Sequence, residues 1–167
     1  MAYSKVIKEA TTKYIQDYGA YFINAIANTG IYFPVVIAQS AVESGWAKSS
    51  LTTQGFNFGG IKYNPNLKGV VGVITKDTSE YIKGKKVTVS AKFSKFADVQ
   101  SGINSYVNLL MLTRYTSARL DAKSPEEQVK MLVKAGYSTT PPDLYLKGLQ
   151  NIIDAARDIS QLGRIVA

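Results

Sequence analysis

Between Pro34 and Gly45 runs a helix-length segment in which Val35, Val36, Ile37, Ala38, Ala41 and Val42 leave no polar face. A helix that is apolar all round has to be enclosed by other elements, so the rest of the chain must be wrapped around this one. Pro34 suits the first helical position, where no N–H is lost and φ is already set. Gly45 suits the left-handed stop. A single carboxylate, Glu43, falls in the last turn, and the only tryptophan, Trp46, follows the stop. Burial and the negative end of the helix dipole both disfavour ionised Glu43 and push its pKa up. A carboxylic acid that keeps its proton near neutral pH can donate to a leaving oxygen, as glycoside cleavage requires. The structural alternative is a carboxylate paired inside the fold to offset its burial.

The 167 residues suffice for one well-buried core and give no sign of a second, so 1–167 reads as a single domain. With 46% hydrophobic and 19% charged residues the chain is not disordered. It has no cysteine and no histidine, which excludes thiol nucleophiles, Ser-His-Asp triads, His-ligated zinc and disulfides. Carboxylates, Lys or Tyr participation, or a hard metal on oxygen ligands remain; carboxylates are the most economical, with no metal or cofactor expected. Twenty Lys+Arg against twelve Asp+Glu give +8, a sign that speeds encounter with polyanions such as nucleic acid, anionic membrane surfaces or a bacterial wall. The basic residues are spread lysines without a nucleic-acid recognition pattern, so no nucleic acid partner is expected. No run approaches the length of a membrane span, and no integral membrane association is expected. The stretch Met1–Glu9 is charged and amphipathic and lacks a signal peptide's apolar run. A phage-encoded, contact-delivered or leader-trimmed chain is the expectation from that.

Helical spacing links Val6, Ile7, Ala10, Tyr14, Ile15 and Tyr18, with Gly19 as a break before a short second helix from Tyr21. Residues 47–68 read as an ordered loop. From about 69 to 96 the period changes: Val70, Val71, Val73 and Ile74, then Glu80-Tyr81-Ile82 and an alternating Val87, Val89, Ala91, Phe93 flank Lys83–Lys86. That is a hairpin lobe with one face expected to be buried. Asp98 is a candidate N-cap for a helix through Met111. Ser124-Pro125-Glu126-Glu127 forms a capping box opening a helix to Gly136. The last helix starts near Pro142 and is expected to bury Leu144, Leu149, Ile152, Ile153, Ala156 and Ile159. The class is α+β, mostly helical, with a small β-hairpin lobe flanking a cleft.

Four separated pieces together resemble the glucosaminidase domains of glycoside hydrolase family 73, which cut bacterial peptidoglycan and are lysozyme-like in fold. They are Gln39-Ser40-Ala41-Val42-Glu43-Ser44-Gly45-Trp46-Ala47-Lys48-Ser49, Asn57-Phe58-Gly59-Gly60-Ile61-Lys62, Thr78–Val87 around Glu80-Tyr81, and Ala135-Gly136-Tyr137-Ser138-Thr139-Thr140-Pro141. They occur in the family's order across residues 39–141. Two departures stand out. Gly59 occupies a place where the family usually has a large apolar residue, which bears on the cleft floor. Phe93-Ser94-Lys95-Phe96 replaces an F-R-x-Y pattern, removing an arginine and a phenol.

The resemblance implies an endo-acting peptidoglycan hydrolase, most simply an endo-β-N-acetylglucosaminidase. Glu43 is the general acid and Glu80 the second carboxylate on the hairpin, serving as base or transition-state stabiliser, with Asp77 as its backup. Away from the resemblance, Glu80 reads as an exposed strand residue offsetting Lys83, Lys85 and Lys86. Tyr137 is a candidate sugar contact or a partly buried core tyrosine. Trp46, Phe58 and Tyr63 are candidate platforms for sugar rings, though Trp46, continuing a buried helix, reads first as core. Asn57 holds the loop or an N-acetyl group. Lysines 76, 83, 85, 86, 92 and 95 make the lobe basic, for wall attraction or as a guarded edge. The expected partner is the peptidoglycan glycan strand, at the bacterial cell wall or periplasm, met by a monomer. The rivals are a muramidase or lytic transglycosylase on the same scaffold, a non-catalytic wall- or chitin-binding module, and last a nucleic-acid binder.

Overall fold

The apolar run forms α2 (Phe33–Glu43), and the other helices are laid around it. The computed structural model describes residues 3–163, apart from the side chains of Glu80 and Leu162. Val35, Val36, Ile37 and Ala38 have no exposed surface. Their enclosure comes from α1 (Lys5–Ile26), α6 (Pro125–Lys134) and α7 (Pro142–Gly163), all packed on α2. The enclosure stops short of the expectation: Val42 is 53% exposed and Glu43 is exposed beside it, the last turn of α2 reaching the surface.

The stop after Glu43 is more elaborate than a lone glycine. Gly45, Trp46 and Ala47 all have left-handed φ, +57°, +60° and +62°. For the two that are not glycine this conformation costs about 1–2 kcal/mol each. Local bonds offset it: Trp46 N–H donates to Ala41 O at 2.7 Å, and Ser44 Oγ donates to Ser40 O at 2.6 Å while accepting from Ala47 N at 2.9 Å.

Gly19 does not break α1, which runs on to Ile26. A Cβ there would stand 3.0 Å from Ile15 Cγ2 one turn back and at ordinary contact distance, 3.7 Å, from the Phe33 ring, so the position is buried inside a continuous helix rather than ending one. Val6 is exposed, not part of the buried stripe. The expected loop at 47–68 contains α3 (Ser50–Gly55), capped by Ser49 Oγ accepting from Thr52 N; Ser49 supplies the N-cap signal.

β1 (Val70–Ile82) and β2 (Lys85–Phe96) form an antiparallel pair from Val70↔Phe96 to Ile82↔Lys85, with an irregularity between Val70 and Gly72. Lys83 and Gly84 both take positive φ at the tip, the two-residue turn that suits strand twist. Lys62 makes a single bridge to Phe93 at the base. The expected buried face exists only there: Phe93, Ser94 and Phe96 are buried, whereas Val87 is exposed. The hairpin stands clear of the core, so its outer half has nothing to bury against.

α4 (Val99–Leu110) begins as expected, with Asp98 Oδ1 accepting from Ser101 N at 2.7 Å. A 3-10 turn at Thr113–Tyr115 leads into α5 (Thr116–Leu120). At α6 the Ser124 hydroxyl accepts from Glu127 N, but Glu127 reaches back to Lys123 N, one residue beyond the usual box partner. On α7 Leu149, Ile152, Ile153 and Ala156 are buried, while Leu144 is exposed and its neighbour Tyr145 packs inward instead.

Candidate active site

Where α2 ends, Glu43 enters the wall of a cavity of about 250 Å³ together with Gly59, Tyr106, Leu109, Leu112, Arg114, Tyr115, Gly136 and Tyr137. Each arrives for a local reason. Tyr106 belongs to the apolar stripe of α4 with Ile103, Val107 and Leu110. Tyr137 follows the end of α6, where Gly136 at φ +101° turns the chain and Tyr137 N–H donates to Leu132 O. Arg114 and Tyr115 come from the 3-10 turn.

The Tyr106 and Tyr137 hydroxyls lie 3.3 Å apart. Tyr137 makes edge-on contacts with Tyr115 and Tyr145, ring centroids 6.2 and 6.1 Å apart. Glu43 is exposed rather than buried as the sequence suggested, because the end of α2 reaches the surface; partial desolvation in the cavity wall still raises its pKa above the ordinary carboxylate value. The C-terminal end of the α2 dipole acts in the same direction. Among the described residues no lysine or arginine pairs with it. Burial also pushes up the phenols of Tyr106 and Tyr137, and that of Tyr145 to about 12, with the charge of Glu43 adding to each. All three therefore stay neutral hydroxyls near neutral pH. A protonated acid among neutral hydroxyl donors can protonate a leaving oxygen and hydrogen-bond a polyhydroxylated ligand.

Gly59, the departure from the family pattern, is explained by this cavity. A Cβ there would stand 2.6 Å from Tyr106 Cδ2, so the absent side chain makes room for the phenol ring. One turn before Glu43, the Gln39 side chain is wholly buried with both polar atoms lacking a well-formed hydrogen bond. It faces the Tyr145 hydroxyl and lowers that phenol's pKa against the stronger effect of burial.

The other sequence candidates are dispersed. The Asn57 amide donates to Ile61 O and Ser94 O and accepts from Ile61 N, each at 2.9 Å. Of its two expected roles it therefore performs the loop-holding one, and no donor remains for an N-acetyl group. Phe58 is 1% exposed, edge-on to Tyr18 and Phe22, and is core rather than a sugar platform. Trp46 packs edge-on against Tyr14 and lines a separate groove with Tyr18, Lys13 and Lys48. Tyr63 is exposed beside the hairpin base, its N–H donating to Lys92 O. Asp77 is exposed on β1 opposite Ser90. Glu80 is opposite Val87, near the hairpin tip; its side chain lies outside the described residues.

Sequence reading missed Tyr106, Tyr145, Tyr115 and Arg114. The first sat in a helical stripe that reads as plain core, and the second was displaced by assigning its neighbour Leu144 inward. Arg114 carries no local motif. Among the described residues no three acidic side chains converge to hold a metal ion.

The family model described as mannosyl-glycoprotein endo-beta-N-acetylglucosaminidase, the glucosaminidase family, matches residues 19–158. The peptidoglycan hydrolase FlgJ of Escherichia coli K12 is 33% identical over 140 residues, covering 81% of this chain and 44% of that protein. The exo-glucosaminidase LytG of Bacillus subtilis is 31% identical over 112 residues, 64% of this chain and 38% of that one. The chain thus spans less than half the length of these relatives. Among solved structures, the truncated glycoside hydrolase domain of Salmonella typhimurium FlgJ superposes with a TM-score of 0.68 at 27% identity, covering 89% of this chain and 98% of that one. The catalytic domain of the Listeria monocytogenes autolysin Auto shares the fold, with a TM-score of 0.73 at 23% identity over 94% of this chain and 88% of that one.

Proposed function

This chain belongs to the glucosaminidase family, and on that premise we propose that it cleaves the glycan strands of bacterial peptidoglycan as an endo-β-N-acetylglucosaminidase. The observation that carries the reading is Glu43 itself, a carboxyl with a raised pKa in a cavity walled by tyrosines. Glu43 donates its proton to the glycosidic oxygen as the bond to the anomeric carbon breaks. Tyr137, and behind it Tyr106, supplies hydroxyl contacts that hold the sugar against the acid. Glu80, near the tip of the hairpin, is the second carboxylate in this reading, directing water or stabilising the cationic transition state. Asp77, three residues back along β1, does not replace it, so Glu80→Ala alone abolishes turnover. The site of action is the bacterial cell wall, and the working species is a monomer.

The test is digestion of purified peptidoglycan by the wild type and by Glu43→Gln, with the products read by mass spectrometry. Reducing N-acetylglucosamine ends, and a loss of about 10²–10⁴-fold in the variant, are the expected result. Reducing N-acetylmuramic acid would assign a muramidase and an anhydro end a lytic transglycosylase. Binding to sacculi without any cleavage would reduce the chain to a wall-binding module.

A further inference from the structure

Among the described residues Arg114 is the one cation on the lining of the Glu43 cavity. It came to the site without a sequence motif. Its guanidinium lies over the Tyr115 ring, 4.8 Å from the centroid, and Tyr115 is itself buried. On the other side Nη1 lies against Gly136, 3.8 Å from where a Cβ would stand. Arg114 is exposed, and its guanidinium rests against the Tyr115 face and beside the turn that delivers Tyr137.

Its charge is not spent inside the protein. Among the described residues no carboxylate lies within ion-pair distance of Arg114. In particular it does not pair with Glu43, whose pKa is raised by desolvation and is not drawn down by a neighbouring cation. A planar, permanently charged fork at the rim of such a cavity is suited to a carboxylate, which it meets with two parallel hydrogen bonds. Peptidoglycan and chitin share the N-acetylglucosamine unit, but only peptidoglycan carries acidic lactyl-peptide substituents on alternate sugars.

We propose that Arg114 is a specificity-determining residue, taking a carboxylate of the substituent on the sugar next to the cleaved bond, so that the cavity selects an anionic muropeptide over an uncharged chitin-type glycan. This rests on the cavity being a glycosidase site. It adds that the choice between two chemically similar glycans is made by charge at one position. Tyr115 acts as the positioning residue for Arg114.

The test uses the full chain carrying Glu43→Gln, so that binding is read without turnover. Calorimetry compares a soluble disaccharide-tetrapeptide muropeptide with an N-acetylglucosamine tetramer, with and without Arg114→Ala. Arg114→Ala is expected to weaken the muropeptide by about tenfold, the scale of a charge-assisted hydrogen bond, and the neutral tetramer by less than about twofold. Arg114→Lys restores part of the loss, since it keeps the charge without the fork. Equal weakening of both ligands, or none for the muropeptide, overturns the proposal. An unchanged melting temperature in Arg114→Ala separates recognition from structural damage. Wild-type protein that leaves peptidoglycan uncut would sink the glycosidase reading, while the binding comparison would still decide the role of Arg114.

Discussion

At Glu43 the desolvation that raises the carboxyl's pKa also penalises the ionised folded state. The folded pKa is raised above the unfolded value, which is ordinarily about 4.3. Between the two the native state binds more protons than the unfolded one, so stability falls as pH rises through that window. Glu43→Gln removes the ionisable group and keeps the shape. It is expected to melt above the wild type at pH 7, the gap closing near pH 4, as followed by circular dichroism. A wild-type kcat that persists above the usual carboxylate range and falls once Glu43 ionises is the kinetic counterpart. Gly59 is constrained by contact instead. Gly59→Leu would drive a side chain into Tyr106, whose ring stands 2.6 Å from the missing Cβ. A loss of about 1–3 kcal/mol, typical of overpacking, is expected in urea denaturation, together with a drop in kcat as the Tyr106–Tyr137 contact is displaced.

Two elements carry the carboxylates proposed for catalysis, α2 for Glu43 and the hairpin for Glu80, and each is anchored by other side chains. The left-handed turn Gly45–Ala47 lets α2 end abruptly at Glu43 while Trp46 returns to pack on Tyr14 of α1. The hairpin is tied down at its base by Asn57, which joins the loop after α3 to β2 through Ser94 O. Asn57→Ala would strip partners from buried backbone groups at Ile61 and Ser94. The expected cost is about 2–4 kcal/mol, with faster amide exchange at the hairpin base as its local signature. The tip is different in kind. Lys83, Lys85 and Lys86 are exposed there beside Tyr81 and Ile82, so replacing the three lysines with alanine should leave the melting temperature unchanged. Retention on sacculi at low salt should fall; unchanged retention would leave those lysines as a solvated edge.

Over the whole molecule the net charge is +8, and the proposed substrate is a wall rich in carboxylate and phosphate. Retention on sacculi is therefore expected to weaken steadily as salt is raised past the point where the screening length drops below about 10 Å. Sedimentation at 18.2 kDa checks the expectation of a monomer. Much of the architecture was legible in residues 34–45, because an all-apolar helix has only one place to go, and Val35–Ala38 are where that logic puts them. The caps at Asp98 and Ser124 and the turn at Lys83-Gly84 were legible for the same reason: their chemistry is local. Gly19 was misread because a buried helix carries a glycine that propensity alone would place at an end, and the helix at Ser50 was missed although Ser49 gave a local N-cap signal, since its six residues are too short for a periodic stripe. Glu43 carried its own signal of position at the helix end, although the burial expected there is only partial. The tyrosine wall and Arg114 carried none, since α4, the 3-10 turn, α6 and α7 are separate in sequence and their side chains acquire a shared environment only once packing closes the cavity around that acid.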